Sequence, residues 1–166
     1  MEEPTTYIQY YQSPVGLIKI SGGDKFISEV KFIDDQQDIP DTEPAPDVIR
    51  SCARQLTEYF NGSRRQFDIP INQEGSEFQQ KVWDKLTDIP FGRTINYLDL
   101  AKRLGDPKKI RAAATTNGKN RIAVIIPCHR VIGSNGTLVG YAGGLWRKKW
   151  LLEHENKIAN GLQTLF

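Results

Sequence analysis

The sequence predicts an α/β chain of the α+β kind: a small N-terminal antiparallel sheet with a helix, followed by a mainly helical C-terminal domain containing a helix-turn-helix. Three observations predict it. Near the N-terminus stand three short runs rich in β-branched and aromatic residues, separated by turn signals. From Ser76 onward the apolar residues recur at helical spacing instead. The charge divides at the same place: residues 1 to 75 hold 13 acidic and 7 basic side chains (net −6), and residues 76 to 166 hold 7 acidic and 15 basic (net +8). Two domains are therefore expected, 1–75 as a sheet-and-helix domain with a linker and 76–166 as the domain built to meet a polyanion.

Taken in order, Thr6 to Tyr11, Gly16 to Ile20 and Phe26 to Phe32 read as strands of a meander, separated by Ser13-Pro14 and Gly22-Gly23-Asp24. An acidic, proline-containing loop from Asp34 to Pro46 leads into a helix over Asp47 to Phe60. On it Ile49, Ala53, Leu56 and Phe60 share a face, and Asn61-Gly62 ends it. Cys52 lies beside that stripe and reads as structural. Residues 63 to 75 are polar and extended, as suits a linker.

Ser76 is an N-cap, after which Phe78, Val82, Trp83, Leu86 and Ile89 repeat with helical period until Pro90 and Gly92. A second helix over Tyr97 to Leu104 stops at Gly105, and Pro107 opens a third that runs through Arg111-Ala112-Ala113-Ala114 to Asn117-Gly118. Two short helices around a Gly-Asp-Pro corner make a helix-turn-helix candidate. Lys108, Lys109 and Arg111 are its cations, and small residues such as Ala112 let a backbone approach a groove closely. The apolar run Ile122 to Ile126 reads as a buried strand stopped by Pro127.

No window approaches the roughly 18 consecutive apolar residues of a membrane span. Met1-Glu2-Glu3-Pro4 lacks the basic and apolar parts of a signal peptide, so a cytoplasmic protein without membrane contact is expected. Two cysteines, Cys52 and Cys128, and two histidines, His129 and His154, offer no ligand set for a closed zinc site and, in a reducing compartment, no disulfide. No metal is expected. The chemistry concentrates in Pro127-Cys128-His129-Arg130-Val131. A thiolate is the reactive form of cysteine and cationic neighbours favour it, yet free cysteines are as readily small buried hydrophobes. The pentapeptide by itself leaves both readings open.

Ile126 to Val131 matches letter for letter the signature Ile-Pro-Cys-His-Arg-Val of the O6-alkylguanine-DNA alkyltransferases, the methylated-DNA–protein-cysteine methyltransferases. Phe91-Gly92 followed by Tyr97, the Gly105-Asp106-Pro107-Lys108 corner, Arg111, Asn120, Gly140-Tyr141, Gly143-Gly144-Leu145 and Trp150 to Glu155 fall in register with it. The chain resembles that family over residues 76 to 155. The resemblance implies a monomer without cofactor that binds double-stranded DNA in the minor groove through the helix-turn-helix and swings an O6-alkylguanine out of the stack. The alkyl group then passes irreversibly to Cys128, one turnover per molecule. It also implies that His129, acting through a water and held by Glu155, activates the thiol, and that Asn120 organises the neighbouring turn. Tyr97 and Tyr141 would donate toward ring N3 and O6, and backbone carbonyls near Cys128 and Val131 would accept from the exocyclic amine. Arg111 would enter the stack in place of the flipped base, and Arg130 would be structural or touch a phosphate.

Three positions depart from the family pattern. Ala142 stands where serine is common, leaving its backbone amide as the donor to O6 there. Arg121 replaces the usual proline after Asn120, and Thr115-Thr116 replace small residues. Competing readings are a protein that binds alkylated DNA without repairing it, a cysteine hydrolase, and a transcription regulator. Relatives of the first kind replace the cysteine, so Cys128 argues against it; the second leaves the helix-turn-helix and the basic half unexplained.

Overall fold

The computed structural model describes residues 5–35 and 44–161. The chain divides into two compact units, Met1–Gln73 and Glu74–Phe166. In the first, β1 (Tyr7–Ser13), β2 (Gly16–Gly22) and β3 (Ile27–Ile33) form an antiparallel meander in the order β1-β2-β3. Ser13 closes the first turn, its hydroxyl donating to Gly16 O at 2.6 Å and accepting from Val15 N at 3.1 Å. Ile18, Ile20, Ile27 and Val30 are buried, and α1 (Asp47–Phe60) packs on the sheet with Ile49, Cys52, Leu56, Tyr59 and Phe60. The core-facing stripe thus runs through Cys52 rather than Ala53. Burial pushes the Cys52 thiol up to about 12, which makes it inert.

Residues 63 to 73 are not a linker. Ile71 bridges Ile27, Ile27 N donates to Pro70 O and Asn72 N to Ile27 O, each at 2.9 Å, and the Gln55 side chain bonds both Asp68 N and Asp68 O at 2.9 Å. The pairing is made by backbone and one α1 side chain, so composition gives no sign of it. Most of the acidic loop expected from Asp34 to Pro46 lies outside the described residues.

The second unit opens on α2 (Glu77–Thr87). The Ser76 hydroxyl accepts from Gln79 N at 3.1 Å and the Gln79 side chain accepts from Ser76 N at 3.0 Å, a reciprocal box that satisfies two otherwise orphan donors. β4 (Ile95–Asn96) runs straight into α3 (Tyr97–Arg103), which Asn96 caps through a second such box with Asp99. Gly105 turns the corner at φ +93°, a left-handed conformation that suits glycine. The expected third helix is a 3-10 turn, Pro107–Lys109, followed by α4 (Ile110–Gly118). β5 (Val131–Ile132) pairs in parallel with β4, and α5 (Leu145–Asn160) follows with Arg147, Lys148, Leu151, Leu152, Glu155 and Asn156 on its buried side.

Ile122 to Ile126 is not a strand. It is a compact turn in which Ile126 N bonds Ile122 O at 3.1 Å and Val124 sits at φ +69°. Ile122, Val124 and Ile126 are nonetheless buried and alternate with half-buried Ala123 and Ile125, which is why the run has the look of a strand. A β-branched residue at positive φ costs about 1–3 kcal/mol and persists only where its surroundings over-determine it. Here Asn120 does so.

Candidate active site

Asn120 holds the turn from inside. Its Oδ1 accepts from Ile122 N at 3.1 Å, while its Nδ2 donates to Ile122 O at 3.2 Å and Ile126 O at 2.9 Å. The chain then passes Pro127 into a 3-10 turn, Cys128–Arg130, which precedes β5. Cys128 therefore sits ahead of a strand, not at the end of one. From the other side Asn117, near the end of α4, donates its Nδ2 to Cys128 O at 3.3 Å. Asn117 thus holds the Cys128 carbonyl, and Asn120 holds the turn that ends two residues before it.

Cys128 is buried, and burial raises its thiol; Asn120, the charge of Lys148 and its own backbone work against that rise. At neutral pH it is a thiol that needs a base. His129, next in sequence, is fully buried, with Nε2 at 2.6 Å from Glu155 Oε2. Burial lowers its pKa, opposed by Glu155. Burial also works against the Glu155 charge, but His129 and Arg130 outweigh it and hold the carboxyl well below the usual carboxylate range. A carboxylate at Nε2 places the imidazole proton there. The other ring nitrogen, Nδ1, is buried without a hydrogen-bond partner among the described residues, and in this tautomer it carries the lone pair of a base.

Arg130 completes the network. Its Nε and Nη2 donate to Glu155 Oε1 and Oε2 at 2.8 and 3.1 Å, and Nη1 donates to Ile89 O at 2.7 Å. Gly92 N donates to Glu155 Oε1 at 3.2 Å. Arg130 is buried, so the expected phosphate contact is corrected: every nitrogen of its guanidinium already faces an acceptor inside the unit. Glu155 is likewise no solvated helix end, being 1% exposed.

Beside this network a cleft of about 640 Å³ opens between α3, α4 and the loop before α5, within the range of small-molecule sites. Tyr97, Arg111, Ala114, Asn117, Tyr141 and Ala142 help to line it. The Tyr141 hydroxyl is raised well above its ordinary value by burial, Cys128 and Glu155. Tyr97 does not wait open for a ligand; its hydroxyl donates to Val139 O at 3.0 Å. Val131 is buried and pairs with Ile95. Lys108, Lys109, Arg111 and Ala112 are exposed together around the start of α4, Lys109 lying 5.3 Å from the centroid of the Phe78 ring. Arg111 alone of these four also lines the cleft.

Two residues of the site had no place in the sequence reading. Asn117 served only as the end of a helix, and Lys148 was not singled out. The signal for Lys148 was its position: it falls on the face of α5 that carries Leu151, Leu152 and Glu155, where a solvated lysine does not belong. Among the described residues no helix is long and apolar enough to cross a membrane, and no three His, Cys, Asp or Glu side chains stand together as metal ligands would.

A buried thiol, followed in sequence by a buried imidazole that a carboxylate holds, in the same unit as a cleft lined from α3 and α4, is the arrangement of a cysteine-nucleophile protein. The comparisons make that class specific. Residues 77–157 match the model of the family described as 6-O-methylguanine DNA methyltransferase, DNA binding domain, and residues 6–73 that of its ribonuclease-like domain. A methylated-DNA–protein-cysteine methyltransferase of Methanosarcina acetivorans is 41% identical over 90% of this chain and 97% of its own length. One from Mycolicibacterium paratuberculosis is 40% identical over 93% and 94%. Among solved structures, Mycobacterium tuberculosis OGT in complex with DNA superposes with a TM-score of 0.82 at 38% identity, covering 92% of this chain and 94% of that one. The chain belongs to the methylated-DNA–protein-cysteine methyltransferase family.

Proposed function

We propose that this chain repairs O6-alkylguanine in double-stranded DNA by direct reversal, moving the alkyl group to its own Cys128 in a single turnover, as a cytoplasmic monomer without cofactor. The observation that carries the reading is Asn117. It lines the cleft beside α4 and bonds the backbone of Cys128, so the helix expected to lie on DNA also positions the nucleophile. Two free thiols, Cys52 and Cys128, fit a reducing compartment.

The steps that the family resemblance implies fit this geometry. Exposed Lys108 and Lys109 engage phosphates, and the small Ala112 lets α4 approach the groove. Arg111 reaches from the helix surface toward the cleft and fills the space that the guanine leaves. As the base enters, the Tyr97 hydroxyl leaves Val139 O for ring N3, and Tyr141 and the Ala142 amide face O6. The Cys128 proton passes toward His129 Nδ1, and the thiolate attacks the alkyl carbon in line. The carbon–sulfur bond forms as the carbon–O6 bond breaks. The electron pair stays on the guanine, which takes up at N1, through solvent, a proton equivalent to the one the imidazolium gives back, and leaves neutral. Glu155 stabilises the transient imidazolium, and Arg130 keeps Glu155 ionised. The thioether has no leaving path, which is why one molecule repairs one lesion.

Cys128→Ser tests the assignment. It is expected to bind a methylguanine duplex as the wild type does and to gain no methyl group, because a serine hydroxyl is a far weaker nucleophile near neutral pH. Methylation of the serine variant at the wild-type rate would overturn it.

A further inference from the structure

Lys148 is fully buried on α5, an uncommon place for an ammonium. Its Nζ donates to Val139 O at 3.0 Å and to Gly140 O at 3.2 Å and lies 5.9 Å from the centroid of the Tyr97 ring. Val139 O is the same atom that receives the Tyr97 hydroxyl. One carbonyl is thus gripped from α3 and from α5 at once. The segment so held runs on through Tyr141 and Ala142, which line the cleft. Gly140 and Gly144, at φ +54° and +92°, bracket it, so the backbone itself offers little stiffness.

We propose that Lys148 is the positioning residue of alkyl transfer: its ammonium fixes the Val139-Gly140 backbone so that Tyr141 and the Ala142 amide face O6, and it keeps that loop in place when Tyr97 exchanges Val139 for the guanine. The proposal rests on the alkyl-transfer reading. It matters more in this chain than the fold alone requires, because Ala142 has no hydroxyl, and a backbone amide donates well only where the loop is held. The ammonium also acts electrostatically on Cys128. Burial lowers Lys148 to about 8, with Cys128 opposing, so the grip weakens as the solution turns alkaline. The groups that face it are Cys128 and His129 from the 3-10 turn and the Tyr97 ring from α3.

The test compares Lys148→Met and Lys148→Arg with the wild type in two reactions of Cys128, transfer from a methylguanine duplex and alkylation by iodoacetamide, each followed from neutral to alkaline pH. Lys148→Met is expected to move the iodoacetamide profile to higher pH. It should slow duplex transfer by a further factor of about ten or more, the loss of a hydrogen bond from a charged donor. Lys148→Arg is expected to restore the thiol profile but only part of the transfer rate, because a planar fork does not grip where a point charge did. Equal slowing of both reactions by Lys148→Met would overturn positioning and leave only a charge effect; wild-type behaviour would overturn both. The wild-type protein provides a measurement that needs no variant. By NMR, the backbone amides of Val139 to Ala142 are expected to titrate together with the Lys148 ammonium, and a loop indifferent to that titration would overturn the proposal. If the wild type accepted no methyl group from the duplex, the function would be at fault instead, since the iodoacetamide and NMR results do not involve DNA.

Discussion

Glu155→Gln changes one atom and one charge in a carboxylate that accepts four bonds: from His129 Nε2 at 2.6 Å, Arg130 Nε at 2.8 Å, Arg130 Nη2 at 3.1 Å and Gly92 N at 3.2 Å. An amide has one acceptor oxygen, so its NH2 must face donors wherever it points. Turned toward the Oε1 position, it meets Arg130 Nε and Gly92 N, neither of which can accept. Turned toward Oε2, it meets Arg130 Nη2 and His129 Nε2, and the histidine can become an acceptor by moving its proton to Nδ1. The second arrangement costs less, and it removes the lone pair expected to take the Cys128 proton. Losing a positioned base slows transfer by roughly 10²–10⁴. Stability falls separately, because Arg130 is left buried without a counter-charge, at about 3–5 kcal/mol. Adding Arg130→Met to Glu155→Gln is therefore expected to recover stability but not rate. The assay is single-turnover transfer across pH, at a temperature where circular dichroism shows the variant folded, with partial rescue expected at high pH where thiolate forms unaided. A folded Glu155→Gln variant whose pH profile overlays the wild type would refute the tautomer argument.

Other outcomes follow from the same geometry. Arg111→Ala is expected to slow repair of duplex DNA much more than reaction with free O6-methylguanine base, which needs no extrusion; equal losses in the two reactions would place Arg111 in the pocket or in folding. Asn120→Ala orphans the buried Ile122 N–H and strips one donor from each of two carbonyls, so thermal or denaturant unfolding should show a loss of at least about 1–3 kcal/mol, with Cys128 chemistry impaired in the folded fraction. His129 titrates below its ordinary value in the folded chain. The unfolded state then binds protons first, and stability is expected to fall as pH drops through about 6.5. Glu155, also lowered, adds a second loss as pH falls below about 4.3. Denaturant titrations of wild type and Glu155→Gln over that range check it, since only the wild type should show the second loss.

The helices were legible because their ends are written in single residues: Asn61-Gly62 closes α1, Ser76 opens α2, and Gly105 turns the corner after α3. Cys128, His129 and Glu155 were singled out by the resemblance of Ile126 to Val131 and Trp150 to Glu155 to the family pattern, since the pentapeptide alone left both readings of the cysteine open. What escaped was governed by contacts distant in sequence. The Ile122 to Ile126 run has strand composition and strand-like burial, but the Asn120 side chain supplies the backbone bonds that a neighbouring strand would otherwise give. Residues 63 to 73 read as linker because their ties run through Ile27 and Gln55, far back in the chain. Arg130 stood between a structural role and a phosphate contact, and only Ile89 O and Glu155 around its guanidinium decide for the first. Lys148 lay in plain view within a basic run, and only the face of α5 on which it falls distinguishes it from Lys149, which is exposed.

The central claim is that Cys128 itself keeps the alkyl group. Intact-mass measurement of the wild-type protein after incubation with excess methylguanine-containing duplex, followed by peptide mapping, tests it most directly. The account predicts one methyl group per chain, on Cys128, with Cys52 unmodified and an equal quantity of guanine restored. Repair of many lesions per molecule with the protein mass unchanged, or a methyl group carried on Cys52, would contradict it.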